Sequence, residues 1–276
     1  MKKRRADQAL YDDLNLESIQ LARALIMEGR ALAGDRRINN ASEMLKIDEK
    51  VRVKGQLDAY VSRGAYKLKK ALEVFNIDLN GRVCTDIGSS TGGFTDVMLR
   101  NGAKHVYCVD VGYNLLDYRI RSDERVTALE RTNARFLTAD HFETAPDFGA
   151  TDVSFISLKA ILPAVLPLLT GKQEFVALIK PQFEARQDEV GEKGVVRDRN
   201  VHERVLKDII LEFLPTTGWS AAGLDFSPVR GAEGNIEFLL HLLPDEKNMH
   251  RIDEVSINDI ITSAYDNFFK SAKGGL

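Results

Sequence analysis

Residues 84 to 110 contain the pattern that most constrains the fold of this chain. A short apolar run ends at Asp86, a glycine-rich turn follows, and Phe94–Arg100 has the apolar spacing of a helix. A second apolar run, His105–Val109, ends at Asp110. This order predicts the first β-α-β unit of a doubly wound sheet, whose ligand crevice lies at the carboxyl ends of the strands. The glycines would let a ligand approach the backbone, and Asp110 would hold a ribose diol.

The spacing of the glycines separates two classes of nucleoside ligand. Dinucleotide sites use Gly-x-Gly-x-x-Gly, whereas this turn reads Gly-x-x-x-Gly-Gly from Gly88 to Gly93. Asp86 could orient an amino-acid head group, which favours S-adenosylmethionine over NAD. A tight turn without a ligand is the alternative. The predicted cofactor-binding residues are Asp86, Gly88, Ser89, Ser90, Thr91, Gly92, Gly93, Phe94, Asp110, Val111, Asn133 and Asp152.

The composition is that of a globular chain, and it argues against a membrane span. Of 276 residues, 44% are apolar and 29% are charged. The best apolar run, Ala160–Leu169, is shorter than the roughly 18 to 20 residues that a span needs. No apolar stretch follows the basic amino terminus, so we expect no secretion signal. Cys84 and Cys108 fall in neighbouring predicted strands, and we expect buried, reduced thiols in a cytoplasmic protein.

The N-terminal part of the chain is basic and the remainder is acidic. Residues 1–70 carry 16 Lys and Arg against 10 Asp and Glu, a balance of +6. The net charge of the whole chain is −3, so the remainder carries −9. A basic N-terminal part suggests contact with a polyanion, and a solvated lysine-rich surface is the simpler alternative.

The pattern of apolar residues predicts an α/β protein with a small α+β domain at its front. We divide the chain into an N-terminal domain at 1–57, a linker at 58–64, a main domain at 65–244 and a C-terminal helix at 245–276. In the main domain, strands and helices alternate, which predicts a mostly parallel sheet. Its predicted strands are Val83–Asp86, His105–Val109, Val126–Leu129, Thr151–Phe155, Phe175–Ile179, Ser220–Phe226 and Ile236–Leu242.

The N-terminal domain combines two predicted helices, Ala6–Asp13 and Ser18–Met27, with short alternating strands between Leu45 and Val53. In Lys3–Leu10 and Leu21–Leu32 it resembles the S4 RNA-binding domain, although helix–turn–helix DNA binders are similar at this length. The resemblance implies that arginines contact RNA phosphates and sugars. The candidates are Arg4, Arg5, Arg23, Arg30, Arg36 and Arg37, followed by Arg63 in the linker.

Four polar residues of the main domain, Lys67, Asp152, Lys180 and Glu237, are placed where the predicted topology would bring them together. We put Asp152 at the head of the fourth strand and Glu237 on the last. A ribose hydroxyl is a weak acid, and Lys180 could take its proton only as a neutral amine, which partial burial or the charge of Lys67 would favour. Asp152 would orient Lys180, and Glu237 would hold Lys67 or the hydroxyl. The oxygen would then attack the sulfonium methyl in line, without a metal. Taken singly, each residue could be structural.

Other methyl-transfer chemistries lack their sequence elements. Methylation of exocyclic base amines uses an Asn/Asp-Pro-Pro-Tyr/Phe element, whereas this chain has Asp152-Val-Ser-Phe155 in that place. Methylation of pyrimidine carbon 5 needs a nucleophilic cysteine, commonly after a proline. Cys84 and Cys108 follow no proline. Methylation of a hydroxyl is the reaction that remains.

The chain resembles the TlyA family, 2′-O-ribose methyltransferases of ribosomal RNA with a domain related to FtsJ/RrmJ. The matching motifs include Ser62–Leu68, Asp86–Asp96, Leu129–Asn133, Asp152–Leu158, Leu178–Glu184, Gly191–Asp198 and Ser227–Phe238. The family's Lys-Asp-Lys-Glu catalytic set falls on the four residues above. The resemblance implies cytidine 2′-hydroxyls of 16S or 23S ribosomal RNA as substrates. A non-catalytic RNA-binding or ribosome-assembly factor is one alternative, and the haemolysin activity named for this family is another, for which we find no sequence support.

Overall fold

A computed structural model describes residues 3–16, 19–27, 29–54, 60–249 and 252–270. The chain separates into two compact units, Met1–Ala59 and Tyr60–Leu276. Each unit has a hydrophobic core of its own. In the part of the chain that the structure describes, no helix is long and apolar enough to cross a membrane.

The first unit packs two helices against small antiparallel sheets. Its elements are β1 (Lys3–Arg5), α1 (Ala6–Asp13), α2 (Ile19–Met27), β2 (Ala31–Ala33), β3 (Arg36–Arg37), β4 (Met44–Lys46) and β5 (Val51–Val53). β1 pairs with β4, and β2 lies between β3 and β5. The predicted bounds of α1 are confirmed, and α2 begins at Ile19, after Ser18, which lies outside the described residues. The sequence did not predict the strands β1 to β3, because a strand of two or three residues is too short to show a recognisable alternation of apolar and polar residues.

Asp7 on α1 is a buried anion that holds two arginines of the first unit. Its Oδ2 accepts hydrogen bonds from Arg5, at 2.9 Å, and from Arg23, at 2.8 Å. The Arg5 hydrogen bond is the main reason why the pKa of Asp7 is lowered to about 2, since burial acts in the opposite direction.

We expect Asp7→Asn to destabilise the first unit at pH 7 by about 1–2 kcal/mol, because solvent around the half-exposed arginines screens the pair. The folded-state pKa is depressed, so the contribution is present above about pH 4 and is lost as pH falls toward 2. Hydrogen exchange of the α1 amides in the full chain measures the difference between variant and wild type. The two should converge near pH 2, and a difference independent of pH would contradict this assignment.

The second unit is a seven-stranded mixed sheet with helices on both faces. Its strands are β6 (Val83–Ile87), β7 (His105–Val109), β8 (Val126–Leu129), β9 (Phe148–Thr151), β10 (Glu174–Ile179), β11 (Trp219–Phe226) and β12 (Phe238–Pro244). Their order is β11-β12-β10-β9-β6-β7-β8, and β12 runs antiparallel to both of its neighbours. The α/β doubly wound class is thereby confirmed, with one reversed strand.

Helices cover the two faces of this sheet. They are α3 (Ala65–Val74), α4 (Gly93–Arg100), α5 (Tyr118–Arg121), α6 (Leu158–Val165), α7 (Pro181–Glu184), α8 (Arg199–Lys207) and α9 (Glu254–Tyr265). Side chains of α3 and α4 share one hydrophobic cluster with Cys84, whereas those of α6, α8 and α9 share the other with Val83 and Ile87. Alternate residues of β6 therefore face opposite helical layers, as the strand period of two requires.

The thiols of Cys84 and Cys108 are buried and free, as the sequence predicted. Burial raises the pKa of Cys84 to about 12, and it raises the pKa of Cys108 as well. Both cysteines therefore remain protonated, unreactive thiols inside the sheet.

Two predicted strands, Thr151–Phe155 and Ile236–Leu242, differ from the observed strands by two or more residues at each end. Both differences place a polar site residue outside the sheet. The fourth strand of the sheet by sequence is Phe148–Thr151, so Asp152 follows it instead of heading it. Gly149 lies inside the observed strand, although glycine has a low strand propensity. In the fold, the ring of Phe175 occupies the space that a side chain at 149 would need. Glu237 likewise directly precedes β12.

The C-terminal segment is shorter as a helix than 245–276. A turn follows β12, α9 runs from Glu254 to Tyr265, and Asp266–Lys270 continue as a π-helical turn. Ile257, Ile261 and Ala264 are fully buried in the same cluster as α8. The helix therefore docks on the second unit itself, while residues 271–276 lie outside the described residues.

Candidate active site

The carboxyl ends of β6, β7, β9 and β10 meet at one edge of the sheet, where two cavities open. The larger, of about 530 Å³, is lined by Ile87, Gly88, Ser90, Val109, Asp110, Val111, Leu115, Thr132, Asn133, Ala134, Asp152, Val153, Ser154, Phe155, Ile156 and Ile161. The smaller, of about 300 Å³, is lined by Ser62, Gly64, Asp86, Gly88, Ser89, Ser90, Thr91, Gly93, Phe94, Asp152, Ser154 and Lys180. Shared lining residues such as Gly88 and Asp152 make the two cavities neighbours.

Gly88 begins the turn after β6 and allows the two loops to approach closely. Its φ of +80° lies in the left-handed region, and a Cβ atom there would come within 3.0 Å of the Val153 side chain. Any larger residue at position 88 would therefore strain the backbone and push on the loop that carries Asp152. The turn then delivers the chain to α4, whose first residue is Gly93.

Asp86 is the buried acid at the end of β6. Its Oδ2 accepts hydrogen bonds from the backbone N–H of Thr95, at 3.0 Å, and from the Thr95 hydroxyl, at 2.7 Å. Burial raises the pKa of Asp86 to about 7, although the Thr95 hydrogen bonds act to lower it. One carboxylate oxygen thus ties β6 to the first turn of α4, and the residue also lines the smaller cavity.

Asp110, at the end of β7, is held by backbone amides from two loops. Its Oδ2 accepts from the N–H of Ser90, at 2.8 Å, and its Oδ1 accepts from the N–H of Gly112, at 2.7 Å. Each carboxylate oxygen keeps a second lone pair, and the residue lines the larger cavity. The carboxylate is therefore preorganised to accept hydrogen bonds from a diol in that cavity.

The structure brings the four predicted chemical residues into one chain of contacts. Lys67 Nζ lies 2.7 Å from Glu237 Oε2 and 3.1 Å from Asp152 Oδ2. Lys180 Nζ lies 2.6 Å from the other oxygen of the same aspartate, Oδ1. Asp152 thus bridges two lysines, and the set carries no net charge when all four groups are ionised.

Burial strengthens the electrostatic interactions among these four residues. The side chains of Lys67 and Glu237 are 11% and 2% exposed. Burial acts to lower the pKa of Lys67, but the carboxylates of Asp152 and Glu237 outweigh it and raise the pKa. Lys67 is therefore a fixed cation that holds both acids in place, so it is unsuited to accept a proton.

Two residues beside this set were not predicted from the sequence. The Oγ of Ser154 accepts a hydrogen bond from Lys180 Nζ at 2.9 Å. Phe155 has a φ of +63° and is 90% exposed, next to the larger cavity that it lines. The residue types serine and phenylalanine do not by themselves indicate a functional site. Their position directly after Asp152 in the same loop is the sequence feature that could have identified them.

Most predicted cofactor-binding residues line one of the two cavities. The exception is Gly92, whose φ is +92°; a Cβ atom there would contact Ile120 at 3.0 Å. Gly92 therefore shapes the start of α4 from behind the cavities.

The arginines proposed for RNA binding lie in the first unit, apart from Arg63, and several of them form ion pairs or hydrogen bonds within that unit. Arg4 pairs with Asp13, at 2.6 Å, Arg36 pairs with Glu43, at 2.5 Å, and Arg30 donates to the carbonyl of Lys54, at 3.3 Å. Arg5 and Arg23 pair with Asp7, Arg37 lies against Gly29, and Arg63 is exposed in the second unit. About half of the side-chain surface of Arg5, Arg23 and Arg36 remains open to solvent.

Comparisons with known proteins identify relatives of this chain. The Bacillus subtilis protein YqxC is 46% identical over 265 residues, which are 92% of this chain and 94% of YqxC. The 16S/23S rRNA (cytidine-2′-O)-methyltransferase TlyA of Mycobacterium tuberculosis is 45% identical over 184 residues, or 67% of this chain and 68% of TlyA. A solved structure of a Streptococcus thermophilus protein has 41% identity and a TM-score of 0.76, with 99% of both chains covered.

The resemblance that the motifs indicated is confirmed by these relatives. Residues 60–243 match the FtsJ-like methyltransferase family, a span that includes both cavities and all four residues of the charged set. This chain belongs to the FtsJ-like methyltransferase family.

Proposed function

We propose that this protein transfers a methyl group from S-adenosylmethionine to the 2′-hydroxyl of a cytidine in 16S or 23S ribosomal RNA. The observation that carries the proposal is the Lys67–Asp152–Lys180 arrangement beside two adjoining cavities. One cavity can hold a nucleoside cofactor, and the lysine at the other can serve as a base. The name of the TlyA relative supports the choice of rRNA and cytidine. Such a substrate also implies that the protein works in the cytoplasm.

The larger cavity fits the cofactor. Asp110 offers preorganised acceptors for two ribose hydroxyls, and Gly88 leaves space that a side chain would fill. The apolar lining around Val111 and Ile156 suits an adenine ring. When bound, S-adenosylmethionine supplies an electrophilic methyl group on a sulfonium centre.

Lys180 is placed to accept the proton of the ribose 2′-hydroxyl. A neutral amine has two N–H groups, and the structure offers them hydrogen-bond acceptors in Ser154 Oγ, at 2.9 Å, and the backbone carbonyl of Asp152, at 3.4 Å. Lys180 also lines the smaller cavity, where we place the ribose hydroxyl. After proton uptake, the ammonium would form an ion pair with Asp152 Oδ1, which lies 2.6 Å from Lys180 Nζ. The Asp152 carboxylate stabilises the ammonium that forms.

Lys67 and Glu237 complete the set without taking the proton. Lys67 neutralises the second oxygen of Asp152, and Glu237 fixes Lys67 at 2.7 Å. This pairing fixes the orientation of the Asp152 carboxylate.

The RNA is proposed to contact both units. The exposed ring of Phe155 offers a stacking surface for an unpaired base beside the site. In the first unit, Arg36 and Arg37 are exposed strand residues suited to phosphate contacts.

The direct test is methyl transfer from labelled S-adenosylmethionine to purified 30S and 50S subunits, followed by nuclease mapping of the labelled nucleotide. We expect label on the 2′-oxygen of a cytidine, and the subunit that carries it identifies the substrate. Label on a base, or no label while the cofactor is bound, would contradict the proposed reaction on these subunits.

We expect Arg36 and Arg37 to account for part of the salt dependence of RNA binding. The double variant Arg36→Gln, Arg37→Gln should weaken binding to the subunit and reduce the slope of log K against log salt by about 1 per lost phosphate contact. Lys104→Gln, Lys172→Gln provides the matched control, because both lysines are exposed near the amino ends of β7 and β10. Filter binding between low and moderate salt measures both slopes. Equal slopes in the two variants would move the phosphate contacts away from these arginines.

A further inference from the structure

Glu184 makes two hydrogen bonds that the proposed reaction does not explain. It is the last residue of α7, the short helix that begins directly after Lys180. Its Oε2 accepts from the Ser157 hydroxyl, at 2.6 Å, and its Oε1 accepts from the backbone N–H of Leu158, at 2.7 Å. Both donors belong to the start of α6, at the far end of the loop that begins with Asp152.

These contacts close a ring around the two groups that would handle the proton. One segment runs from Asp152 to Leu158, and the other runs from Lys180 to Glu184. At their first residues the segments meet through Lys180 Nζ and Asp152 Oδ1, at 2.6 Å. At their last residues they meet through Glu184. Because each segment is tied at both ends, neither can shift without breaking one of the two junctions.

The cap of α6 does not need this carboxylate. Ser157 Oγ already accepts the N–H of Lys159, at 3.1 Å, which is the usual N-cap bond. Glu184 is largely enclosed, and burial raises its pKa even though Ser157 and Leu158 act to lower it. Burying a carboxylate costs free energy unless the bonds it makes offset that cost. Here both bonds go to the segment that carries Asp152.

We propose that Glu184 is a positioning residue for the reaction, and that it sets the distance between Lys180 and Asp152 by clamping their two loops together. The inference rests on the proposed function, since it concerns the same amine. Glu184 does not line either cavity near the sheet edge, so it acts through the loops and touches neither substrate nor cofactor.

Three variants and a matched control test the clamp in the full-length protein. Glu184→Ala removes both bonds. Glu184→Asp keeps the negative charge but shortens the side chain by one methylene group. Glu184→Gln can still accept the Leu158 N–H and can donate to Ser157 Oγ. Glu189→Gln is the control, because Glu189 lies in the next turn and pairs with Arg204 instead. For each we would measure kcat, KM for the subunit, cofactor Kd and the thermal midpoint.

For Glu184→Ala we expect kcat to fall about 10- to 100-fold, because a misplaced catalytic group costs rate while binding is kept. The KM and the cofactor Kd should stay within about twofold, since no contact to either ligand is removed. The kcat of Glu184→Asp should fall between those of wild type and Glu184→Ala, whereas Glu184→Gln should recover most of the wild-type rate. A loss confined to thermal stability, with kcat unchanged, would overturn the proposal. If the alanine variant does not fold, the aspartate and glutamine variants decide the question by the same criterion.

A second readout does not require turnover. Limiting acetic anhydride acetylates exposed or loosely held amines, and peptide mass spectrometry reports the modified fraction of Lys180. We expect Glu184→Ala to raise the labelling rate of Lys180 by about threefold or more, as the Asp152 contact loosens. Lys70, which pairs with Asp225 at 2.9 Å, should label equally in all variants. Unchanged Lys180 labelling would refute the clamp, whereas increased labelling in a protein without ribose methylation would refute only the proposed function.

Discussion

Replacing Lys180 by alanine should lower the single-turnover rate of ribose methylation by about 10²- to 10⁴-fold. The structure gives Lys180 the contacts of a positioned base, with Asp152 Oδ1 at 2.6 Å and Ser154 Oγ at 2.9 Å from its Nζ. Cofactor affinity, measured by calorimetry, should remain near that of wild type, because Asp110 and the glycine turn are untouched. The rate should be measured on the subunit that accepts the methyl group, with enzyme in excess.

A second substitution at the same position separates the base from its charge. Lys180→Arg keeps a cation near Asp152, but a guanidinium does not give up its proton at neutral pH, so we expect it to be as inactive as alanine. Lys70→Ala is the matched control, because Lys70 is also a partly buried, ion-paired lysine and lies on α3 one turn from Lys67. Near-normal turnover of either Lys180 variant would place the base elsewhere.

Asp110→Ala should weaken binding of S-adenosylmethionine by at least about 100-fold. A hydrogen bond to a charged group contributes about 1.5–3 kcal/mol, and this carboxylate is positioned to accept two from the ribose diol. The same substitution removes the acceptor for the Ser90 and Gly112 amides, so the glycine turn would also lose its orientation.

Calorimetry with Asp140→Ala as the control distinguishes a ribose contact from a general charge effect. Asp140 is an exposed acid outside both cavities, and its removal changes the net charge by the same amount. We expect wild-type affinity in the control. An unchanged Kd in Asp110→Ala, with its thermal midpoint also unchanged, would show that the ribose is held by other groups.

The sequence predicted the regular parts of the second unit well because their signals are local. The strands His105–Val109 and Val126–Leu129 have the predicted bounds, and Gly88–Gly93 forms the expected turn. Apolar runs, turn glycines and acids at strand ends are all visible within a few residues.

The errors arose where a distant element decides the conformation. Gly149 belongs to a strand because the Phe175 ring fills the space beside it, and β12 is reversed although its apolar pattern resembles that of the parallel strands. The C-terminal helix begins at Glu254 because Asp253 caps it, accepting the N–H of Ser256 at 2.8 Å. Apolar spacing alone had merged this helix with the turn before it.

The sequence by itself determined the α/β class, the nucleoside-type turn and the identity of the four residues of the charged set. Those features depend on residue type and on spacing along the chain, and both can be read from the sequence alone. Only the tertiary structure decided how Asp152 is shared between two lysines, that Ser154 accepts from Lys180, and that Glu184 joins the two loops. Ion pairs and hydrogen bonds of this kind join residues far apart in the chain, and their partners become definite only when the sheet brings the carboxyl ends of its strands to one edge.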